Sequence, residues 1–376
     1  MGSAGWEVQL VAVTVAAACA LPGTFLVLRR MAMMSDAISH AILLGIVLAF
    51  FVVHDLGSPW LVLAAAATGV ATVWLVEVVH RTNRVREDAA MGLVFPVLFS
   101  LGVILISRYA GNVHLDTDAV LLGEIAFAPF NQLEFGGRAI GPRAFYTMAA
   151  ILAVNLLFVA LFFKELKLAT FDPGLAAALG FSPPLLHYAL MALVSLTAVG
   201  AFDAVGSVLV VALMIAPPAA ATLLTDRLRD RLLLSVGLAV FSALAGYHLA
   251  MAVDVSIAGM MATMTGVVFL LAWLLAPEQG LLAAARRRRR QRLEFAQAML
   301  LVHLLQHEDR PEAVVELAAD SLPEHLRWEA GWTQRVAQAA EAQGWIARDN
   351  GHWGLTPTGR ALARGAVVGE TPRQLL

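Results

Sequence analysis

Residues 35–53 read SDAISHAILLGIVLAFFVV, and the architecture of the chain can be worked out from them. After His40 the stretch is apolar, and the whole of 35–53 is close to the roughly 20 residues that a helix needs to cross a bilayer. Asp36 and His40 are four residues apart, so a helix places both on one face, one turn apart. A charged carboxylate near the bilayer centre costs roughly 2.5–3.5 kcal/mol. We therefore predict a membrane-spanning helix that carries a polar pair.

The chemistry of Asp36 and His40 has two interpretations. Polar groups in a lipid-buried helix usually face a pore, a partner or a bound ion. A carboxylate and an imidazole together suit a divalent transition metal, so we predict that the two residues are metal ligands. In the alternative, they form a helix-end pair near the membrane interface, where Asp36 interacts with the positive end of the helix dipole.

The composition excludes an ordinary soluble protein. Of 376 residues, 59% are hydrophobic and 14% are charged, and the mean hydropathy is +0.74; these values are typical of a polytopic helical membrane protein. The net charge of −2 indicates no nucleic-acid partner for the whole chain. Cys19 is the single cysteine, so neither a disulfide framework nor a cysteine metal site is predicted. The first apolar run lacks a preceding positive charge, which predicts a membrane helix and not a cleaved signal peptide.

Apolar stretches long enough to span a bilayer recur along the chain. They are residues 8–28, 35–53, 60–79, 89–107, 145–163, 185–201, 205–224, 232–253 and 257–275. The region 185–224 is nearly continuous, and its interruption at 202–206 is either a turn or a break, so eight or nine spans fit. With nine spans and the N-terminus outside, the strongly basic loops all lie in the cytoplasm, which favours nine.

The polar C-terminal region predicts a second domain. Residues 281–292 contain five consecutive arginines at 286–290 and predict a basic linker that binds anionic membrane lipid. Beyond it, helical spacing is followed at residues 345–355 by a hairpin with a glycine-containing turn. Helix, helix, helix, hairpin is the order of a winged helix. We therefore predict an all-α polytopic membrane protein, with a transmembrane domain at 1–280 and a small α+β winged-helix domain at 293–376.

Residues 171–180 predict a short helix between two spans, on the cytoplasmic side. Asp172 followed by Pro173 is a strong helix start, and Gly180 is a strong stop. Such a helix can fit a groove on a soluble partner. The alternative is an ordinary loop helix at the membrane interface.

Three motifs in order make the chain resemble the permease subunits of bacterial zinc, manganese and iron ABC transporters. Residues 35–40 are similar to the family's Gly-Asp-x-x-Ser-His element, although Ser35 stands where glycine is common. Residues 171–180 and 204–217 resemble its Phe-Asp-x-x-x-Ala-x-x-x-Gly and Val-Gly…Leu-Ile-x-Pro segments, and residues 121–125 fit a further motif loosely. The resemblance covers about residues 8–275.

The resemblance implies a mechanism in the bacterial cytoplasmic membrane. Two permease copies, identical or closely related, would form a path for zinc, manganese or iron ions, with an extracytoplasmic metal-binding protein outside and ATPase subunits inside. The chain has no Gly-x-x-x-x-Gly-Lys-[Ser/Thr] loop, so we expect it not to hydrolyse ATP itself. As a transport subunit it is expected to be no enzyme and to hold no permanently bound cofactor. Asp36 and His40 would bind the ion weakly enough to release it. Further site residues fall into candidate metal ligands (Glu124, His248) and contacts to the ATPase (Phe171, Asp172, Ala176, Gly180).

The C-terminal domain resembles the DNA-binding part of iron- and manganese-dependent repressors. Residues 332–343 would then be the recognition helix. Its candidate contact residues are Thr333, Gln334, Arg335 and Gln338. Acidic residues are frequent in this domain and a strong basic face is missing, so we favour a protein-contact or regulatory role over DNA binding.

Two other functions remain open. A permease for a metal chelate would have a larger, less charged cavity and would not need Asp36 or His40. A membrane-tethered, metal-responsive transcription regulator would need the C-terminal domain to bind DNA. The identity of the metal also stays open, because carboxylate and imidazole bind zinc, manganese and iron.

Overall fold

The structure is a computed structural model that describes residues 3–54, 58–82, 84–109, 125–135, 138–308, 310, 317–318, 321–349 and 351–368. The chain divides into two compact units, Met1–Gly280 and Leu281–Leu376.

The described part of the first unit is a helical bundle with one small hairpin. Its helices are α1 (Ser3–Leu28), α2 (Met33–Val53), α3 (Pro59–Arg81), α4 (Glu87–Tyr109), α5 (Arg143–Leu161), α6 (Phe163–Phe171), α7 (Pro173–Ala178), α8 (Pro183–Val205), α9 (Ser207–Leu224), α10 (Leu228–Val253) and α11 (Ile257–Leu275). Strands β1 (Gln132–Phe135) and β2 (Arg138–Pro142) pair antiparallel. All of these helices except α6 and α7 are long and apolar enough to cross a membrane, which makes nine candidate spans among the described residues.

The apolar region 185–224 divides into two helices at a glycine. Gly206 has a φ of 80°, a left-handed value that glycine adopts without a steric penalty. It caps α8 through a bond from its N–H to the Phe202 carbonyl, and α9 begins at the next residue. The interruption seen in the sequence is therefore a turn between two helices.

Helix α1 lies at the centre of the bundle. In the most apolar 18 residues of α1, 83% of the residues are buried inside the unit. The corresponding share is 22% for α4 and for α5, so those two helices are peripheral in the single chain. Small residues permit close approach to α1: a Cβ at Gly23 would clash with the backbone of Met214 in α9. The buried Asn155 of α5 donates to the Ala18 carbonyl of α1 and to Thr197 Oγ1 of α8, at 3.0 and 2.9 Å.

The second unit has its own apolar core. It contains α12 (Leu281–His307), α13 (Leu322–Leu326), α14 (Ala330–Ala342), the antiparallel strands β3 (Ile346–Asp349) and β4 (His352–Leu355), and α15 (Pro357–Val368). Residues 281–292, which we predicted to be a basic linker, form the first part of α12. Helices α12 and α14 and the hairpin follow in the predicted order, the helix that apolar spacing predicts at 311–319 falls largely outside the described residues, and the winged-helix assignment stays a prediction.

An ion pair joins the first and last helical segments of the second unit. Arg360 donates from Nε and Nη2 to the two carboxylate oxygens of Glu308, each at 2.9 Å. This two-point bond lowers the pKa of Glu308 below its ordinary value. The pair therefore connects α15 to the residue that follows α12.

Candidate functional site

Asp36 and His40 lie on one face of α2, in its first turns. His40 Nε2 is 3.4 Å from Asp36 Oδ1, and the two side chains are 29% and 34% exposed, respectively. The neighbouring Ser35 and Ser39 are buried, and the Ser39 hydroxyl donates to the Ser35 carbonyl at 2.8 Å. The pair therefore lies at the edge of the core, with part of its surface accessible in the single chain.

The spacing of the two atoms fits a shared metal ion. Zinc binds histidine nitrogen and carboxylate oxygen at about 2.0–2.2 Å. Two atoms 3.4 Å apart, each about 2.1 Å from one ion, subtend roughly the tetrahedral angle at that ion. An ion could replace the direct contact between carboxylate and imidazole with little movement of either side chain.

Two aromatic rings of α4 hold the His40 ring. Phe95 stacks on it with ring centroids 5.8 Å apart and an interplanar angle of 28°. Phe99 meets it edge-on, also at 5.8 Å. We did not predict these two residues from the sequence. Their spacing of four was the available signal, but it is also expected of any aromatic pair on an apolar membrane helix.

The other predicted ligands do not join this pair in the part of the chain that the structure describes. Glu124 lies outside the described residues. His248 is exposed on α10, with its ring 5.3 Å from that of Tyr247. No three His, Cys, Asp or Glu residues among those described are grouped so as to hold a metal ion. Of the predicted ligands that the structure describes, Asp36 and His40 therefore lie together, whereas His248 lies apart from them.

The segment 171–180 forms a capped helix with exposed apolar side chains. Asp172 Oδ1 accepts from the Leu175 N–H at 2.9 Å and caps α7, and Gly180 has a φ of 86°. Ala176 is buried, whereas Leu175 and Leu179 are exposed, as is Phe171 just before the helix. The helix start and stop agree with the sequence prediction, and contact with an ATPase stays a prediction.

The predicted contact residues of the C-terminal unit divide into two groups. Thr333 is only 3% exposed, and its hydroxyl donates to the Glu329 carbonyl at 3.2 Å. Gln334, Arg335 and Gln338 are exposed on α14, with the Arg335 guanidinium 5.3 Å from the Trp332 ring centroid. The surface available to a partner is therefore formed by the last three.

Nine candidate spans among the described residues are typical of a polytopic membrane protein, and one of them carries a carboxylate–imidazole pair. Comparison with known families agrees: the model described as "ABC 3 transport family" matches residues 6–276. The chain belongs to this family. The resemblance to ABC permease subunits is thereby confirmed, and the chain is a transport subunit and not an enzyme.

Individual relatives match over most of their length. The chain is 50% identical to the zinc transport system membrane protein TroD of Treponema pallidum, over 95% of this chain and 97% of TroD. It is 50% identical to the manganese transport system membrane protein MntD of Bacillus subtilis, over 73% of this chain and 93% of MntD. The solved structure "PsaBC from Streptococcus pneumoniae in complex with Fab" aligns with a TM-score of 0.63 and 27% identity, over 74% of this chain and 94% of that chain.

Proposed function

We propose that the chain is the permease through which an ABC importer moves free divalent transition-metal ions into the cytoplasm. The cargo is zinc, manganese or iron, and it is the substrate and not a resident cofactor. The observation that carries the proposal is the 3.4 Å spacing between His40 Nε2 and Asp36 Oδ1 on a membrane helix. The names of TroD and MntD, zinc and manganese transport proteins, support the same class of cargo.

A second permease copy, identical or closely related, completes the path. Asp36 and His40 supply two ligands, whereas zinc is usually held by four. Both side chains keep about a third of their surface accessible in the single chain, so a second pair can approach them. Two copies facing each other would supply two carboxylates and two imidazoles. Glu124 and His248 would pass the ion toward this site from an extracytoplasmic metal-binding protein.

The segment 171–180 contacts the ATPase subunit on the cytoplasmic side. Phe171, Leu175 and Leu179 expose apolar surface there, which suits a groove on a soluble partner. Asp172 and Gly180 fix the ends of α7, so the helix can move as a rigid body when the ATPase subunits close.

Transport by the assembled complex tests the proposed function. We expect vesicles containing the permease and its ATPase, with the binding protein added outside, to accumulate radioactive zinc, manganese or iron only when ATP is supplied. Each metal is offered both as the free ion and as a chelate. Accumulation of the chelate alone would support the chelate importer, and a complex that accumulates neither form would contradict both readings.

We propose that the C-terminal unit is a cytoplasmic regulatory or protein-contact domain and not the DNA-binding part of a transcription regulator. The similarity to TroD covers 95% of this chain and so extends into this unit. The match to MntD covers 73% of this chain and 93% of MntD, which leaves little of MntD to correspond to the unit. MntD, which is named as a manganese transport system membrane protein, therefore has little room for such a domain.

A chain that ends at Gly280, the boundary between the two units, is expected to retain most of its metal uptake. The transmembrane unit keeps its own core, and the boundary avoids cutting through α12. A matched full-length variant, Val336→Asp, places a charge in the core of the second unit, where Val336 is fully buried. Uptake by assembled complexes and transcription of metal-responsive promoters are measured for both. A promoter response that requires the intact second unit would favour the regulator alternative.

A further inference from the structure

Arg29 lies in the turn between α1 and α2 and contacts two distant segments of the first unit. Its Nε donates to Thr170 Oγ1, in the last turn of α6, at 3.2 Å. Its Nη1 is 3.4 Å from His187 Nδ1, in the first turns of α8. These partners are 141 and 158 residues away in sequence. One side chain therefore ties three segments together at the end of the bundle that carries the basic loops.

The charge of Arg29 is not balanced by a carboxylate within the described residues. The ion pairs in that part of the chain involve other residues, and Arg29 Nη2 is buried there without a hydrogen-bond partner. Burial lowers the pKa of the Arg29 guanidinium below its ordinary value. The Arg29 side chain is half-buried as a whole, so its contacts with Thr170 and His187 replace only part of the hydration that the charge loses.

Each partner of Arg29 is next in the chain to a residue with a further role. Thr170 directly precedes Phe171 and Asp172, so Arg29 holds the start of the segment 171–180. His187 is followed by Tyr188, whose hydroxyl donates to Glu77 of α3. The contacts thus connect the proposed ATPase-binding segment to the inner ends of α3 and α8.

Ordered backbone leads from Arg29 to the metal pair. The Met31 N–H donates to the Leu26 carbonyl and the Met34 N–H donates to the Met31 carbonyl, both at 2.9 Å. The Ser35 hydroxyl donates to the Ala32 carbonyl at 3.0 Å, immediately before Asp36. Hydrogen bonds therefore hold the turn to α1 on one side and to the first turn of α2 on the other.

We propose that Arg29 is the positioning residue that transmits movement of the segment 171–180 to the Asp36–His40 pair. Closure of the ATPase subunits shifts α6 and α7, the Thr170–Arg29 bond carries the shift into the turn before α2, and the metal pair moves with the helix. The inference rests on the proposed function in taking the segment 171–180 as the contact with the ATPase.

Four variants of the assembled complex separate positioning from folding. Arg29→Ala removes both contacts, and Thr170→Val removes only the hydroxyl acceptor at nearly constant shape. Thr170→Ser keeps the hydroxyl acceptor and is the matched control. Arg30→Gly removes the neighbouring exposed arginine, at a φ of 62° that glycine tolerates.

The first measurement is a distance that does not depend on the cargo. Spin labels are attached at Met33→Cys and Leu275→Cys, two exposed positions at the ends of α2 and α11, while the native Cys19 is fully buried and takes no label. The distance between the labels is recorded with and without a non-hydrolysable ATP analogue. We expect it to change in the unsubstituted complex, in Thr170→Ser and in Arg30→Gly, and to stay constant in Arg29→Ala and Thr170→Val.

The second measurement is the number of metal ions transported per ATP hydrolysed. We expect Arg29→Ala and Thr170→Val to lower it at least about fivefold, the lower end of typical coupling between two sites, while ATP hydrolysis continues. A nucleotide-dependent distance change that persists in Arg29→Ala, or is missing from the unsubstituted complex, would overturn the inference. Parallel loss of assembly and hydrolysis in Arg29→Ala, with Thr170→Val unaffected, would assign Arg29 a purely structural role. If the unsubstituted complex moves no metal but its label distance depends on nucleotide and on Arg29, the proposed cargo fails and the inference stands.

Discussion

Replacing Asp36 with Ala is expected to abolish ATP-dependent metal uptake, and replacing His40 with Ala is expected to do the same. Each substitution removes one of the two ligands that we propose a single chain contributes, so the ion would lose half of its protein contacts in that copy. Loss of an outer-shell partner alone lowers metal affinity or activity by about 10–100-fold, so loss of a ligand should exceed that range. The measurement is uptake of the radioactive ion per assembled complex in vesicles.

Controls for this prediction come from the same helix and from the assembled complex. His54, the other histidine at α2, is exposed at the outer end of the helix and has a φ of 54°, which asparagine tolerates. His54→Asn should leave uptake near the unsubstituted level. The amount of assembled complex and its ATP hydrolysis without metal show whether Asp36→Ala and His40→Ala fold. Unchanged uptake in either variant would remove that residue from the metal path.

The spans and the polar pair could be predicted because both are local properties of the sequence. The stretch 35–53 as a whole is long enough to indicate a membrane helix. A spacing of four places Asp36 and His40 on one face of it. The capped helix at 171–180 was likewise readable from Asp172 and Gly180. The division of the region 185–224 was left open because a glycine interruption is compatible with either a turn or a break.

The surroundings of the site could not be predicted because they depend on how distant helices pack. Phe95 of α4 contacts His40 of α2. From the sequence, however, an aromatic residue in the apolar run of α4 is equally expected to face lipid. Arg29 belongs by pattern to a basic cytoplasmic loop, and its contacts lie 141 and 158 residues away. Thr333 was a candidate contact because of its place in a predicted recognition helix, and only its burial shows that it faces the core.

Replacing Gly45 with Ala is expected to reduce both the stability of the first unit and its metal uptake. Gly45 lies on α2, beyond His40, where α2 packs against α3. A Cβ at this position would lie 2.7 Å from the Ala64 carbonyl oxygen and would also clash with the Thr68 hydroxyl. The carbonyl belongs to the backbone of α3, so the two helices must separate, and overpacking of this kind costs about 1–3 kcal/mol. Because Asp36 and His40 are on the displaced helix, their position relative to α4 changes as well.

The matched control for Gly45 is Gly92 in α4, where a Cβ would meet no heavy atom within 4 Å. Gly92→Ala should be neutral or slightly stabilising, since alanine favours the helix over glycine by roughly 0.5–1 kcal/mol. Thermal unfolding of the purified complex in detergent and uptake per assembled complex are measured for both variants. Thr68→Ala in the Gly45→Ala background should restore only part of the loss, because the Ala64 carbonyl remains in place. A Gly45→Ala chain as stable and active as Gly92→Ala would show that α2 and α3 can separate here without moving the metal pair, and the tight contact between them would then have no part in holding the site.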